Sequence, residues 1–264
     1  MHSSGRLLGQ TALITGGSKG IGLSIAREFI KEGASVFIVA RSEDALANAK
    51  AELIALGGTN RVETFSADMG DRTSVANAVA SAIGAFGHLS ISVSSAAEYF
   101  AKPLLEYTPQ DLERMLRLNL HGPFHLIQAV LPHMVGRGYG RIINIASTAG
   151  KWGSRNQSIY NMSKHGLVGL TRCAALEFAK QGITVNAICP GSVETEMVEG
   201  YLRDHSAIQE TTPERLRADM YKRIPQGRFL QPDDAAHLAV YLASPESKAM
   251  TGQSLLIDGG MLMD

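Results

Sequence analysis

The sequence predicts a doubly wound α/β fold: one parallel sheet of about seven strands, with helices on both faces. Three observations predict it. Short, nearly unbroken apolar runs alternate with longer stretches of 3.6-residue periodicity, a Gly-rich turn follows the first run, and no Pro/Ser-rich linker or internal repeat divides the 264 residues. Runs without a polar face mark strands covered on both sides, as parallel strands are. The whole chain, 1–264, reads as one domain.

The elements follow in order. An apolar run at 11–15 leads through the glycines into a helical pattern at 20–32, and a second run at 34–40 precedes a pattern at 43–56. The run at 62–67 is followed by a helix at 72–86, and the run at 89–94 by a long helix at 109–135. The run at 141–146 precedes another long helix at 158–181, and 183–189 is the sixth strand. A helix at 232–243 and a last strand at 254–257 close the pattern. The segment 191–231 is out of rhythm, rich in charge with interspersed Met, Tyr and Leu, and its length points to a lid.

Composition narrows the partners. The 25 basic and 25 acidic side chains cancel, so no positive field favours nucleic acid or anionic lipid. The opening Met-His-Ser-Ser-Gly-Arg has no apolar signal core, and no run approaches the ~18 apolar residues of a membrane span, so a soluble cytoplasmic protein is expected. Cys173 and Cys189 sit in apolar patterns without C-x-x-C spacing and read as buried free thiols. His121 and His125 stand four apart, but Gly122-Pro123 falls between them and no third ligand accompanies them, so no metal is expected.

In a doubly wound fold ligands sit beyond the carboxyl ends of the strands, so the strand ends carry the functional argument. After the first strand comes Thr15-Gly16-Gly17-Ser18-Lys19-Gly20-Ile21-Gly22, leading straight into a helix. Glycines there allow a tight turn and close backbone approach, and free N–H groups at a helix start attract phosphate. The same loop could be an ordinary βα turn, but its place after the first strand favours a dinucleotide. The second strand ends in Val39-Ala40-Arg41-Ser42, where an acidic residue would bind ribose hydroxyls. Arg41 and Lys19 suit a 2′-phosphate instead, so NADP(H) is expected over NAD(H). In Ala67-Asp68-Met69, Asp68 could accept from the adenine amino group or cap the next helix.

The fifth strand ends in Ser147, and Tyr160 and Lys164 follow four residues apart on one helical face. An ammonium near a phenol favours its ionised form, which would bring a weak acid toward neutral pH. Ser147 could then hydrogen-bond a substrate oxygen while Tyr160 gives or takes the proton. Tyr-x-x-x-Lys alone is common on helices; its conjunction with a strand-end serine and an upstream Gly-rich loop is what gives it weight.

These residues, with Asn119 in Leu118-Asn119-Leu120, Pro190-Gly191, Thr251-Gly252-Gln253 and Asp258-Gly259-Gly260, make the chain resemble a short-chain dehydrogenase/reductase from about Leu8 to Met261. The resemblance implies a Rossmann-like domain and an oxidoreductase acting on ketones or secondary alcohols. It implies Tyr160 as general acid/base, Ser147 orienting the carbonyl, Lys164 lowering the tyrosine pKa and holding the nicotinamide ribose, and Asn119 holding a water that links Lys164 to solvent. For the cofactor it implies Gly16, Ser18, Lys19, Gly20, Ile21 and Gly22 on the loop, then Arg41, Asp68, Met69, Ser95 and Ala96. Tyr160, Lys164, Pro190, Gly191, Val193 and Thr195 complete that set. It also implies a homo-oligomer, dimer or homotetramer, through the two long middle helices.

The segments around 145–153, 163–171 and 184–197 are similar to 3-oxoacyl-thioester and aromatic polyketide ketoreductases, which suggests a fairly large, partly apolar keto substrate. Candidate pocket residues are Tyr99, Trp152, Met197, Tyr201 and Met220. Charge in the lid is nearly balanced, which gives a thioester no added support. The alternative is a nucleotide-binding protein with lost or weak turnover that acts by interaction. Its argument is Ser94-Ser95-Ala96-Ala97, where the family usually has Asn-Asn-Ala-Gly: serine lacks the amide's paired donor and acceptor, so bracing of neighbouring strands is in question.

Overall fold

The computed structural model describes residues 5–263; expectations for the opening four residues and for Asp264 lie outside them. Seven strands, β1 (Thr11–Thr15), β2 (Ser35–Ala40), β3 (Val62–Ser66), β4 (Ile91–Ser94), β5 (Gly140–Ile145), β6 (Ile183–Pro190) and β7 (Ser254–Ile257), form one sheet in the order β3-β2-β1-β4-β5-β6-β7. Every pairing is parallel, and β1 lies between β2 and β4, with Leu13 opposite Phe37 on one side and Ser92 on the other. The chain reverses its direction of winding there, which opens a crevice at the carboxyl ends of β1 and β4.

Nine α-helices cover the sheet or lie beside it among the described residues: α1 (Gly20–Lys31), α2 (Glu43–Gly57), α3 (Arg72–Phe86), α4 (Pro109–Leu116), α5 (Gly122–Arg137), α6 (Ser158–Phe178), α7 (Glu196–Ile208), α8 (Pro213–Arg223) and α9 (Pro232–Ala243). Alternate strand residues feed two cores. Ile14, Ile38 and Val93 pack with Phe29 of α1 and Ala239 of α9, while Leu13, Phe37 and Val39 pack with Val79 of α3 and Val130 of α5. Polar residues set the helix starts: Ser42 accepts from Ala45 N–H, Asp71 from Ser74 N–H, and Thr108 forms a reciprocal capping box with Asp111.

Two expectations need correction. The helix expected at 109–135 is α4 and α5 joined by a π-helical turn, Arg117–His121, which carries Asn119 inward. Cys173 is not buried: it lies on the outer face of α6, while Cys189 in β6 is buried. Both thiols are free, and no cluster of metal-ligating side chains occurs among the described residues. Among those residues no helix is long and apolar enough to cross a membrane.

The small residues after β4 are held from the next strand. Thr15 Oγ1 accepts from the N–H groups of Ser95 (3.0 Å) and Ala96 (3.1 Å), so one β1 hydroxyl braces the end of β4. Ser92 and Ser94 hydroxyls are buried without a partner among the described residues.

Candidate active site

The Gly-rich loop shows why it needs its glycines. Gly16 has φ +64, and a Cβ there would lie 2.9 Å from the backbone of Ala96; at Gly22 a Cβ would meet the Gly16 carbonyl oxygen at 2.3 Å. The loop therefore folds tightly against both the post-β4 segment and its own helix. α1 has no side-chain cap and no acidic residue in its first turn, which leaves its N-terminus open to an anion. A cradle of that kind fits a dinucleotide pyrophosphate. Arg41 follows β2 on the same cavity wall, exposed, and its guanidinium makes no hydrogen bond or ion pair among the described residues. Lys19 by contrast pairs with Glu196 at the start of α7.

Of the two roles open to Asp68 in the sequence, the structure excludes the helix cap. Asp71 caps α3, and Asp68 is turned off the cavity wall: Oδ1 accepts from Gly70 N–H at 2.9 Å and Oδ2 from Arg117 Nη1 at 2.8 Å. Its neighbours Ala67 and Met69 line the cavity.

At the other end, Ser147 ends the β5 segment and its Oγ accepts from Ala149 N–H at 3.1 Å, starting a short 3-10 turn over Thr148–Gly150. Tyr160 and Lys164 lie one turn apart on α6, both buried, and Lys164 Nζ donates to the Ile145 carbonyl at 3.0 Å. Burial pushes the Tyr160 phenol up to about 12, against the hydrogen-bonding influence of Ser147, and burial pushes the Lys164 ammonium down to about 8. Burial, rather than the lysine, sets the net direction at the phenol. The ammonium stands 5.6 Å from the ring centroid and is bonded to a carbonyl, so desolvation wins.

Asn119 is buried behind these residues and does not line the cavity. Its Oδ1 accepts from Glu98 N–H and its Nδ2 donates to Glu98 C=O, both at 2.9 Å, with a longer contact to Ser163 Oγ at 3.4 Å. It clamps the post-β4 segment to α6 and so positions the residue after Glu98, Tyr99.

One cavity of about 1380 Å³ connects both ends. Of the residues proposed from sequence, it brings together all but Gly22, Asp68 and Asn119. Tyr99 meets Tyr160 edge to face with centroids 5.0 Å apart, and its hydroxyl shares a 2.8 Å hydrogen bond with His205 Nε2 of α7. His205 is buried and stacks on Tyr201 at 4.2 Å. Sequence reasoning missed His205, although its spacing four residues after Tyr201 was a signal, and it missed Gln157 and Met261 on the wall, where Arg223 of the charged lid segment also lies. The lid is two helices, tied by Arg217 of α8 to Glu194 and to Glu199 of α7.

A parallel sheet in this order, a glycine cradle at its switch point and a Ser-Tyr-Lys set at the far end of one cavity define a nucleotide-dependent oxidoreductase by architecture. Comparison agrees. A family model described as enoyl-(acyl carrier protein) reductase matches residues 16–262. The chain belongs to the short-chain dehydrogenase/reductase family. It is similar to a D-beta-hydroxybutyrate dehydrogenase of Rhizobium meliloti, 36% identical over 253 residues, which cover 95% of this chain and 98% of the relative. It is also similar to the 3-oxoacyl-(acyl-carrier-protein) reductase of Thermotoga maritima, 33% identical over 258 residues, covering 98% and 100%. Among solved structures, a variant of actinorhodin polyketide ketoreductase with NADPH superposes with a TM-score of 0.92 at 37% identity, covering 96% of this chain and 97% of that one.

Proposed function

We propose that the chain is an NADP(H)-dependent reductase of a fairly large, partly apolar ketone, a 3-oxoacyl thioester or a cyclic, polyketide-like substrate. The observation that carries this reading is the single cavity that joins the glycine cradle and Arg41 to Ser147, Tyr160 and Lys164. The bound nicotinamide would supply the hydride. Gly16, Ser18, Gly20 and the open start of α1 would hold the pyrophosphate, and Arg41 would meet the 2′-phosphate. Ser147 Oγ and the Tyr160 hydroxyl face the space where a carbonyl oxygen would gain negative charge, and Tyr160 would give the proton. A phenol that burial keeps protonated suits the acid role in the reducing direction.

Tyr99, Tyr201, Trp152, Met197 and Met220 would enclose the apolar part of the substrate, with α7 and α8 as the lid. Exposed Phe124 and Val135 on α5 and Met162 and Leu176 on α6 support a homo-oligomer formed through these helices. The free thiols fit a reducing, cytoplasmic compartment. The test is NADPH oxidation with a panel of 3-oxoacyl thioesters and cyclic ketones, wild type against Tyr160→Phe. Turnover lost in the variant with cofactor binding retained is the expected result. Tight cofactor binding with no turnover by the wild type would favour the non-catalytic alternative, and a variant that kept most of its rate would remove Tyr160 from the mechanism.

A further inference from the structure

The charges around the cavity do not balance at the lid. Three carboxylates line it, and each already holds a cation: Glu98 holds Arg114, Glu194 holds Arg217, and Glu196 holds Lys19. Arg223, in the last turn of α8, lines the same cavity, is exposed, and makes no side-chain hydrogen bond or ion pair among the described residues. Asp219, one turn earlier on α8, is engaged by Lys222 at 3.0 Å. Arg223 feels the Asp219 carboxylate but makes no hydrogen bond or ion pair among the described residues, so its guanidinium donors are open to whatever fills the cavity.

Its position relative to the chemistry is set by rings. Tyr160 contacts Tyr99 at 5.0 Å, Tyr99 contacts Tyr201 at 5.7 Å, and Tyr201, whose phenol is pushed up by burial, is drawn back by the nearby Arg223 cation. Met220, one turn before Arg223, adds to the same wall. From the proton donor outward the cavity wall thus runs through two aromatic rings to the Arg223 guanidinium, while Arg203 on the same wall is paired with Asp204. A guanidinium suits carboxylate and phosphate oxygens, which it can bind in bidentate fashion.

We propose that the substrate carries an anionic group, a carboxylate or a phosphate, at the end away from its ketone, and that Arg223 binds it. The proposal rests on the reductase reading and names the substrate class for it. Arg223 is exposed on the cavity wall and Tyr160 is buried, so the anion would lie toward solvent while the ketone reaches Tyr160.

The test is binding without turnover, so that it stands apart from the reductase reading. Trp152 is the only tryptophan and lines the cavity, so its emission, with calorimetry as a second readout, reports occupancy. The probes are decanoate against methyl decanoate, and 4′-phosphopantetheine against pantetheine. In at least one pair the anion should bind about tenfold more tightly than its neutral partner. The pair that shows the preference identifies the source as a free carboxylate or a thioester arm. Arg223→Gln should erase the preference without weakening the neutral probe, and Arg223→Lys should keep part of it. Equal binding within both pairs, no saturable binding by any probe, or a preference that survives Arg223→Gln overturns the proposal. Failure of NADPH oxidation alone would instead strike the reductase reading.

Discussion

Burial of the Lys164 ammonium should cost stability, and that cost can be measured. Burial holds its ammonium at about 8, against an ordinary lysine value of about 10.4, which corresponds to roughly 3 kcal/mol against the charged form. The folded-state value lies below the unfolded one, so between them the unfolded chain binds more protons, and stability rises as pH climbs from about 8 toward 10. Below pH 8 the full penalty is present. Lys164→Met keeps the aliphatic stem and removes the charge, but it leaves the Ile145 carbonyl without its donor, a loss of about 1 kcal/mol. The net expectation at pH 7 is a gain of about 2 kcal/mol, or roughly 6 °C in Tm for a chain of this size, with activity lost. The gap between variant and wild type should then narrow by up to about 1.4 kcal/mol per pH unit above pH 8. Urea unfolding of the cofactor-free proteins at pH 7 and pH 10, at one protein concentration, reads both quantities. A variant less stable than wild type at pH 7, or a gap that is the same at both pH values, would refute the claim that desolvation dominates at Lys164.

Three further outcomes follow from the nucleotide end. Arg41→Asp should weaken NADPH by tenfold or more while changing NADH little, because the Arg41 guanidinium makes no hydrogen bond or ion pair among the described residues and loses only its long-range pull on Asp68; equal effects in a cofactor titration would sink the 2′-phosphate assignment. Gly22→Ala places a Cβ 2.3 Å from a backbone oxygen, so the loop must shift, and dinucleotide affinity should fall at least about tenfold with a stability loss of about 1–3 kcal/mol. Wild-type affinity in that variant would mean that the loop is not the cradle. Glu196→Gln frees Lys19 from the lid and should raise NADPH affinity by about two- to fivefold over NADH; an unchanged ratio would show that Lys19 does not meet the 2′-phosphate.

The strands were legible because burial on both faces leaves nearly unbroken apolar runs, and 11–15 and 254–257 match β1 and β7 to the residue. Tyr160 and Lys164 were legible because helical spacing puts them on one face, but the direction in which burial moves them was not, since desolvation is set by tertiary packing. The π-turn at Arg117–His121 has no Gly or Pro within it to announce it, and its side chain Asn119 finds Glu98 and Ser163 only in the folded chain. Asp68 had two plausible local roles, and its bond to Arg117, 49 residues away, is visible only in the folded chain. His205 was missed for the same reason: its partner Tyr99 is 106 residues distant.

Two buried cations show how position separates a structural charge from a functional one. Arg141, second in β5, sits at the amino end of the sheet; its guanidinium donates to the Gly140 and Gly182 carbonyls and packs at 4.3 Å over the Tyr139 ring. It does not line the cavity, and carbonyls and an aromatic face offset part of its charge, although its Nε is buried without a partner among the described residues. Lys164 is as deeply buried, donates to the Ile145 carbonyl, and lines the cavity at the carboxyl end of the same strand. An ammonium held there against desolvation, on the wall of the cavity, supports the role proposed for Lys164 at the cofactor and at Tyr160. Burial by itself would rank the two equally; the open side of the sheet decides between them.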